Sequence, residues 1–423
     1  MKEEFVSFLW KNKLLQSKNL ASTNGMPIEI INPGTENLDS GPDFFAARIK
    51  IGTTEWAGNV EIHTKSSDWL NHNHQNNKQY DNIILHVVHD NDVEVKDITN
   101  KNIKVLEIKN LYDVTLLENY ENLMKAKTWV ACQNQINKVE ELIVQNWLGR
   151  LMVERLEGKS EEVSSYLEYF KNDWDQTFFY FLARNLGFKV NSVPFGILAQ
   201  RTPYLLLQKN SDSLEKLEAI LFGQAGLLSE NLTDVYPRIL QKEFNYQRAK
   251  YDLSPIEKSL WKFSKLRPVN FPTVRIAQLA AILYGSKHLF RNIVEATSIS
   301  DIHKILASKA SDFWESHYTF EKPSSKRIKN LGSQSIDNII INTIAPVLFV
   351  YGRQTNEERR CEKALEFLYE TPPENNSIIM KWASLGIKPA NASESQALLE
   401  LKKFFCTPKK CLKCAIGNQL LRS

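Results

Sequence analysis

The sequence lacks an uninterrupted apolar run near twenty residues, the length that a membrane-spanning helix needs. Its first residues, Met-Lys-Glu-Glu-Phe, are acidic and amphipathic rather than signal-like. Internal repeats and low-complexity segments are lacking as well. These absences predict a chain with no membrane partner and a cytoplasmic location. The net charge of +4 is too small to indicate nucleic-acid binding by itself.

With 423 residues, the chain is long enough for two or three domains. Strand-like alternation is confined to the first 112 residues, and long helical patterns follow at 139–157, 174–186, 214–222 and 336–349. We therefore expect an α+β protein with a small α/β domain at 1–112 and an all-helical region at 113–423. Joints within the helical region are expected at 191–194, 267–272 and 322–329.

The first ninety residues predict a short series of elements. Residues 3–15 have apolar residues at helical spacing, and 27–31 read as a strand that ends in the turn sequence Asn-Pro-Gly. A hairpin is expected from 43–51 and 55–64, and the polar segment that follows it leads to a buried strand at 82–89. The expected order is helix, three strands, a short helix or loop, and a last strand.

An acidic pattern lies on the expected hairpin. The chain reads Pro42-Asp43, then seventeen residues, then Glu61-Ile62-His63. Residues two apart on a strand share a face, so Glu61 and His63 are expected to point the same way. Mg²⁺ is usually held by one or two carboxylates, waters and substrate phosphate. Asp43 and Glu61 are therefore candidate ligands of a Mg²⁺ or Mn²⁺ ion, at the open edge of a mixed sheet.

Histidines are concentrated in the same region. Of the eight in the chain, five lie between 63 and 89: His63, His72, His74, His86 and His89. His86 lies inside an apolar strand, where it is either a satisfied core histidine or a further metal ligand. His72 and His74 form an HxH pair that either binds metal or belongs to a solvated loop. His89 is expected to lie at the end of a strand.

Cysteines are few, and three of the five lie within nine residues, as Cys406, Cys411 and Cys414. In a cytosolic chain such clustering favours a metal or cluster site over disulfides. Zn²⁺ or a [4Fe–4S] cluster takes four thiolates, so one ligand must come from elsewhere. Cys132 and Cys361 are the candidates. Free thiols remain the alternative.

Two segments, 322–329 and 401–423, contain several Lys and Arg residues and no Asp or Glu. Clustered Lys and Arg neutralise phosphates and give salt-sensitive binding that does not depend on sequence. A solvated face explains 322–329 equally well. In the tail the lysines surround the cysteines, which favours a fixed basic patch and a nucleic-acid partner.

The Pro-Asp and Glu-x-His spacing, with the order of elements around it, resembles the PD-(D/E)xK metal-dependent nucleases, with His63 at the Lys position. The resemblance implies phosphodiester hydrolysis, with Asp43 and Glu61 as ligands. His63 would orient water, stabilise charge or bind the metal itself. Several iron–sulfur nucleases also join one distant cysteine to three near the C-terminus, which is similar to Cys132 with the tail.

The chain as a whole resembles a bacterial family known as domain of unknown function 2851. The stretches that carry this resemblance are 27–34, 41–45, 58–63, 67–69, 80–82, 85–88, 270–280, 335–338, 373–376 and 411–417. Cys361 falls outside these stretches, which favours Cys132 as the fourth thiolate. The family implies no activity.

The sequence therefore predicts a metal-dependent nuclease with Asp43, Glu61 and His63 at its catalytic site and His86 as a possible further ligand. One alternative is a nuclease-like scaffold without activity that binds nucleic acid or protein. A second alternative is a Zn²⁺ or Mn²⁺ hydrolase that uses the histidine cluster on another substrate.

Overall fold

The computed structural model describes residues 2–96, 101–228 and 232–423, and the chain forms two compact units. The first unit consists of Met1–Trp147 with Leu401–Ser423, and the second of Leu148–Glu400. These units differ from the expected ranges 1–112 and 113–423. The reason is that residues 113–147 and the C-terminal tail pack with the N-terminal sheet.

Eight strands occur in the described residues: β1 (Ile28–Asn32), β2 (Thr35–Glu36), β3 (Phe44–Ile51), β4 (Thr54–Lys65), β5 (Ile83–Asp90), β6 (Val105–Glu107), β7 (His317–Thr319) and β8 (Lys322–Pro323). The first six form one mixed sheet in the order β1-β3-β4-β5-β6, with β2 paired to β3. β1, β3 and β4 are antiparallel neighbours, whereas β4, β5 and β6 run parallel. The expected α+β class is confirmed.

The α-helices of the described residues are α1 (Glu3–Lys11), α2 (Asp68–Asn71), α3 (Val114–Lys125), α4 (Glu141–Tyr169), α5 (Trp174–Leu186), α6 (Phe188–Arg201), α7 (Tyr204–Lys209), α8 (Leu214–Gln224), α9 (Val235–Tyr251), α10 (Pro272–Gly285), α11 (Leu289–Glu295), α12 (Ile299–Leu306), α13 (Ser333–Ile339), α14 (Ala345–Thr355), α15 (Glu358–Glu370), α16 (Ser377–Ser384), α17 (Ala392–Glu400) and α18 (Ala415–Arg422). Ile340–Ile344 and Leu401–Cys406 are π-helical. Short 3₁₀ helices include His74–Asn76, Lys78–Tyr80 and Cys411–Lys413.

The sheet is buried on both faces around β4. Val60 and Ile62 point into the main core of the first unit, where α1 adds buried residues such as Phe5 and Leu9. Glu61 and His63 point the other way, as period-two alternation predicts. A parallel strand covered on both faces reads as a continuous apolar run, which explains why β5 is rich in Ile, Leu and Val.

The second unit is helical apart from the β7–β8 hairpin, so the expectation of an all-helical region needs this correction. The joint expected at 191–194 lies inside α6, a helix that contains Pro194. The joint at 267–272 holds a 3₁₀ helix followed by the start of α10.

One helical run of the described residues, Ser333–Thr355, is long and apolar enough to cross a membrane by length and composition. Polar residues such as Asp337 and Asn342 interrupt it, so a search for an unbroken apolar run passes over it. Of its most apolar window, 72% is buried inside the protein, as in the core helix of a globular unit.

Candidate metal centre

The second half of β4 supports the candidate site. Glu61 and His63 lie on one face of this strand, and His86 on β5 is paired with Glu61 in the parallel register. Asp43 directly precedes β3, the antiparallel neighbour of β4. β4 is a central strand of the sheet, so the expectation of a site at an open sheet edge was wrong.

The segment after β4 brings two more histidines to the site. Asp68 begins α2 and accepts hydrogen bonds from the Lys65 amide (3.1 Å) and the Thr64 hydroxyl (3.2 Å), which fixes the turn out of the strand. Asn73 takes the left-handed conformation (φ 60°) and starts the 3₁₀ helix of His74. Asn occupies that region more readily than most residues.

Two aromatic side chains hold His74 in place. The ring of Tyr80 stacks on that of His74 with centroids 3.9 Å apart. Trp69 is fully buried. The centroid of its ring lies 5.3 Å from that of His74, with the rings edge-on, and 5.4 Å from that of His86, with the rings tilted. These ring contacts therefore restrict the orientation of His74.

Each of the two carboxylates accepts a backbone hydrogen bond from the other's strand segment. The Asp43 amide donates to Glu61 Oε2 (3.2 Å), and the Ile62 amide donates to Asp43 Oδ2 (2.9 Å). Burial, followed by the charge of Asp43, raises the pKa of Glu61 to about 9. Burial also raises the pKa of Asp43 to about 6. Two like charges in a buried site disfavour ionisation of both, and a bound cation would reverse this.

A third acid faces the pair from α1. Glu3 lies in the first turn of that helix, and burial, then the charges of Asp43 and Asp68, raise its pKa to about 7. Sequence analysis missed this residue. Its only signal was an acidic residue at the start of an amphipathic helix, which is common without any functional role.

Two histidine rings lie close to Glu61, and a third, His72, contacts His63. His63 Nε2 lies 3.0 Å from His72 Nδ1 and 3.6 Å from Glu61 Oε1, and His74 Nε2 lies 3.2 Å from the same oxygen. One ring nitrogen from each of His63, His72 and His74 lies within 4.8 Å of the other two. His63 is buried whereas His72 is exposed, so the group opens to solvent on one side.

Burial and the neighbouring rings keep two of these imidazoles neutral. The pKa of His63 falls to about 3, through burial first and then the charges of His74 and His72. Burial and His72 lower the pKa of His74 to about 4. Within the described part of the chain, His74 Nε2 is buried without a hydrogen bond. Neutral imidazoles with free lone pairs are the form that binds metal.

His86 contacts the back of His63. It is fully buried, and its Nε2 lies 2.8 Å from His63 Nδ1. Ring nitrogens of metal ligands usually make such a contact on the side away from the ion. The structure therefore places His86 where it orients His63. His89 lies apart from the group, with Nδ1 2.8 Å from Asp90 Oδ2.

Three separations among these atoms are close to those around one ion. A tetrahedral ion with bonds of about 2.0–2.1 Å holds its ligand atoms about 3.3–3.4 Å apart. His63 Nε2 lies 3.0 Å from His72 Nδ1 and 3.6 Å from Glu61 Oε1, and His74 Nε2 lies 3.2 Å from Glu61 Oε1, while the three histidine nitrogens lie within 4.8 Å of one another. Imidazole suits Zn²⁺, whereas Mg²⁺ prefers oxygen. The donor set is thus richer in nitrogen than the expected pair of carboxylates.

The structure brings together every residue of the predicted catalytic set: Asp43, Glu61 and His63. The HxH pair of His72 and His74 joins them, so the sequence signal was present and the alternative of a plain solvated loop accounts for less of the geometry. The predicted thiol group of Cys132, Cys406, Cys411 and Cys414 lies in the first unit as well. Cys361 lies in the second, where its thiol donates to the Phe349 carbonyl (3.4 Å).

Comparison with known proteins adds one finding. A sequence model of the family described as "Protein of unknown function (DUF2851)" matches residues 3–377. No curated protein and no solved structure matches the chain.

Proposed function

The chain belongs to the DUF2851 family of proteins of unknown function, and for this member we propose a metal-dependent phosphodiesterase that acts on nucleic acid. The ion would be held by His63, His72, His74 and Glu61, with Asp43 beside it. Zinc is the expected metal because three of the four ligands are imidazoles, and manganese is the alternative that the carboxylates of Glu61 and Asp43 would suit.

One observation carries the proposal. Nitrogens of His63, His72 and His74 lie within 4.8 Å of one another at a site that opens to solvent beside His72, and Glu61 Oε1 lies 3.2 Å from His74 Nε2. Burial raises the pKa of Glu61 and lowers the pKa of His63, so both groups are shifted away from their ordinary values at one place. Perturbed groups of this kind cluster at functional sites.

The residues divide the chemistry between them. A bound divalent ion lowers the pKa of a water and polarises a phosphoryl oxygen. Asp43 lies beside Glu61, and its carboxylate would accept a proton from such a water. The Ile62 amide holds the Asp43 carboxylate in place, and His86 does the same for the His63 ring. The exposed side at His72 leaves room for a substrate.

The order of elements supports a phosphodiester as substrate. The helix, the antiparallel strands β1, β3 and β4 and the parallel β5 follow the order that the nuclease resemblance implies. The carboxylate positions match that resemblance too, whereas the histidines depart from it. The departure favours a nitrogen-rich centre over a Mg²⁺ site.

Metal binding is tested first, on full-length protein stripped with chelator. Mn²⁺ is the titrant, because it prefers nitrogen and oxygen to thiolate and so avoids the cysteines. Isothermal titration is expected to give one strong site that Glu61→Gln and His63→Ala remove. His89→Gln is the matched control, since His89 lies on β5 outside the histidine group.

Cleavage is tested with labelled single- and double-stranded DNA and RNA in Mn²⁺. The wild type and His89→Gln should cut at least one of them, and Glu61→Gln should not. Mn²⁺ binding with cleavage of a small phosphodiester alone would overturn the nucleic-acid substrate. Cleavage that survives Glu61→Gln, or binding of nucleic acid without cleavage, would overturn the enzymatic proposal.

A further inference from the structure

Four cysteines lie in the first unit: Cys132, Cys406, Cys411 and Cys414. Cys406 ends the π-helical segment, Cys411 begins a 3₁₀ helix and Cys414 is the residue before α18. Cys132 lies in a turn between α3 and α4. Cys411 belongs to the main core of the unit, and Cys132 packs against that same core.

The tail is anchored beside the turn of Cys132. The Lys409 ammonium donates to the carbonyls of Met124 (2.5 Å) and Ala126 (2.8 Å), at the end of α3. The Lys402 ammonium lies 5.3 Å from the centre of the Trp129 ring. These contacts hold the chain on both sides of Cys406 against residues 124–129.

The thiols act on one another electrostatically. Burial first, then Cys414 and Cys411, raises the pKa of Cys132 to about 12. Burial, then Cys414, Cys132 and Cys411, raises the pKa of Cys406. The contacts of Lys409 and Lys402 with residues 124–129 place the tail beside the turn of Cys132 independently of these charges. Cys411 and Cys414 are buried and Cys132 and Cys406 half-buried, so none gains from ionising alone, but a bound metal deprotonates a coordinating thiol outright.

Two backbone amides at the start of α18 act on one sulfur. The amides of Ile416 and Gly417 oppose the rise that burial causes in the pKa of the Cys414 thiol. Gly417 is needed for this approach, because a Cβ there would lie 2.3 Å from the Cys411 carbonyl oxygen. Hydrogen bonds to sulfur tune the potential of iron–sulfur clusters, and they stabilise negative charge on any thiolate.

We propose that Cys132, Cys406, Cys411 and Cys414 hold an iron–sulfur cluster. The spacing favours a cluster over zinc. The tail has four residues between its first two cysteines and two between the last pair, with the fourth cysteine distant. The local C-x₄-C-x₂-C spacing is that of plant-type cluster sites, although here the distant cysteine precedes the other three, whereas a zinc ribbon has two C-x-x-C knuckles.

Binding replaces each S–H bond by an S–Fe bond and releases the four protons to solvent. The charge that develops is offset by two lysines: Lys409 favours the thiolate of Cys411, and Lys402 favours that of Cys406. The cluster would clip the C-terminal tail to the segment after α3. The sequence predicted that the lysines of the tail form a patch for nucleic acid. Two of them, Lys402 and Lys409, instead stabilise the thiolates of the tail.

The test uses full-length protein purified without oxygen, with iron, zinc and inorganic sulfide measured per chain. Sulfide is the decisive quantity, because the histidine group could bind iron but not sulfide. Wild-type protein should be coloured and contain iron and sulfide in equal amounts. Cys361→Ser is the matched control and should keep both, since Cys361 lies in the other unit.

Cys411→Ser and Cys132→Ser should each lose at least about nine tenths of the sulfide. If Cys411→Ser does not fold, Cys132→Ser and reconstitution of wild-type protein with iron and sulfide still decide the matter. Stoichiometric zinc without sulfide would overturn the proposal. So would wild-type protein that takes up no cluster on reconstitution, or Cys132→Ser that keeps its full sulfide content.

Discussion

His63 and His86 contact each other across the parallel strands β4 and β5, with Nδ1 of His63 2.8 Å from Nε2 of His86. Both side chains are buried, and the contact fixes the plane of the His63 ring. The other ring nitrogen, Nε2, is then directed at His72 and Glu61. A pair of core histidines thus sets the direction of a candidate metal ligand.

Replacing His86 is expected to weaken metal binding without removing a ligand. His86→Leu leaves His63 free to rotate, and loss of such a partner typically costs 10–100-fold in affinity, so we expect a Kd for Mn²⁺ raised by about that factor. Isothermal titration measures it. His86→Gln keeps a polar group at the position and should lose less. An unchanged Kd in His86→Leu, with His89→Gln as reference, would contradict the positioning role.

Lys409 is expected to hold the C-terminal tail on the end of α3. Lys409→Met keeps the aliphatic stem but removes both hydrogen bonds to the carbonyls of Met124 and Ala126. A hydrogen bond from a charged donor contributes about 1.5–3 kcal/mol, so amides of 401–423 should exchange faster in hydrogen-exchange mass spectrometry. Lys410→Met changes the exposed neighbouring residue, and in this variant the same amides should exchange as fast as in the wild type. Equal exchange in both variants would refute the anchor.

Gly58 on β4 is expected to tolerate no side chain. A Cβ there would lie 2.5 Å from Ile84 Cγ2 and 2.8 Å from the Asn82 carbonyl oxygen, and the backbone oxygen cannot move freely. Overpacking of this kind costs about 1–3 kcal/mol, so Gly58→Ala should lower the free energy of unfolding by that amount in urea denaturation. Ala57→Ser, at the exposed adjacent position, should change it by less than about 0.5 kcal/mol.

Glu218 on α8 is expected to make stability depend on pH. Burial raises its pKa from 4.5 to about 7, although Tyr236 (2.7 Å) and Trp314 (3.2 Å) donate hydrogen bonds to its Oε2. Between pH 4.5 and 7 the folded state keeps a proton that the unfolded state has lost. Stability therefore falls as pH rises through this window, by about 3 kcal/mol in total.

Glu218→Gln should remove that dependence, because the amide stays neutral and can accept the same hydrogen bonds. The difference in unfolding free energy between Glu218→Gln and wild type should thus grow with pH from 4.5 to 7. Glu215→Gln, at an exposed position of the same helix, should follow the wild type. Parallel curves for Glu218→Gln and wild type would show that the burial has no such effect.

Much of the local structure could be predicted from the sequence. The N-terminal helix, the hairpin and the buried strand at 82–89 follow from apolar periodicity. The common face of Glu61 and His63 follows from the period of a strand. Family membership was also predicted from the sequence and is confirmed. Each of these depends on residues close together in the chain.

The tertiary structure decided the composition of the site. Strand periodicity gives no information on where the loop after α2 leads, so the approach of His74 to Glu61 depends on the packing of Trp69 and Tyr80. Similarly, the parallel register of β5 sets His86 behind His63, and the docking of α1 brings Glu3 toward Asp43. These relationships join elements that are distant in sequence, and only packing selects among the possible pairings.

Packing between distant parts of the chain also explains why the two units differ from the expected domains. The change from strand-like to helical pattern near residue 113 was read as a domain boundary, but α3 and the tail cover the sheet and belong with it. A pattern in the sequence records which faces are apolar without recording what they are buried against. The sequence by itself determined the elements and the residue types available for chemistry. Long-range burial determined which of them meet.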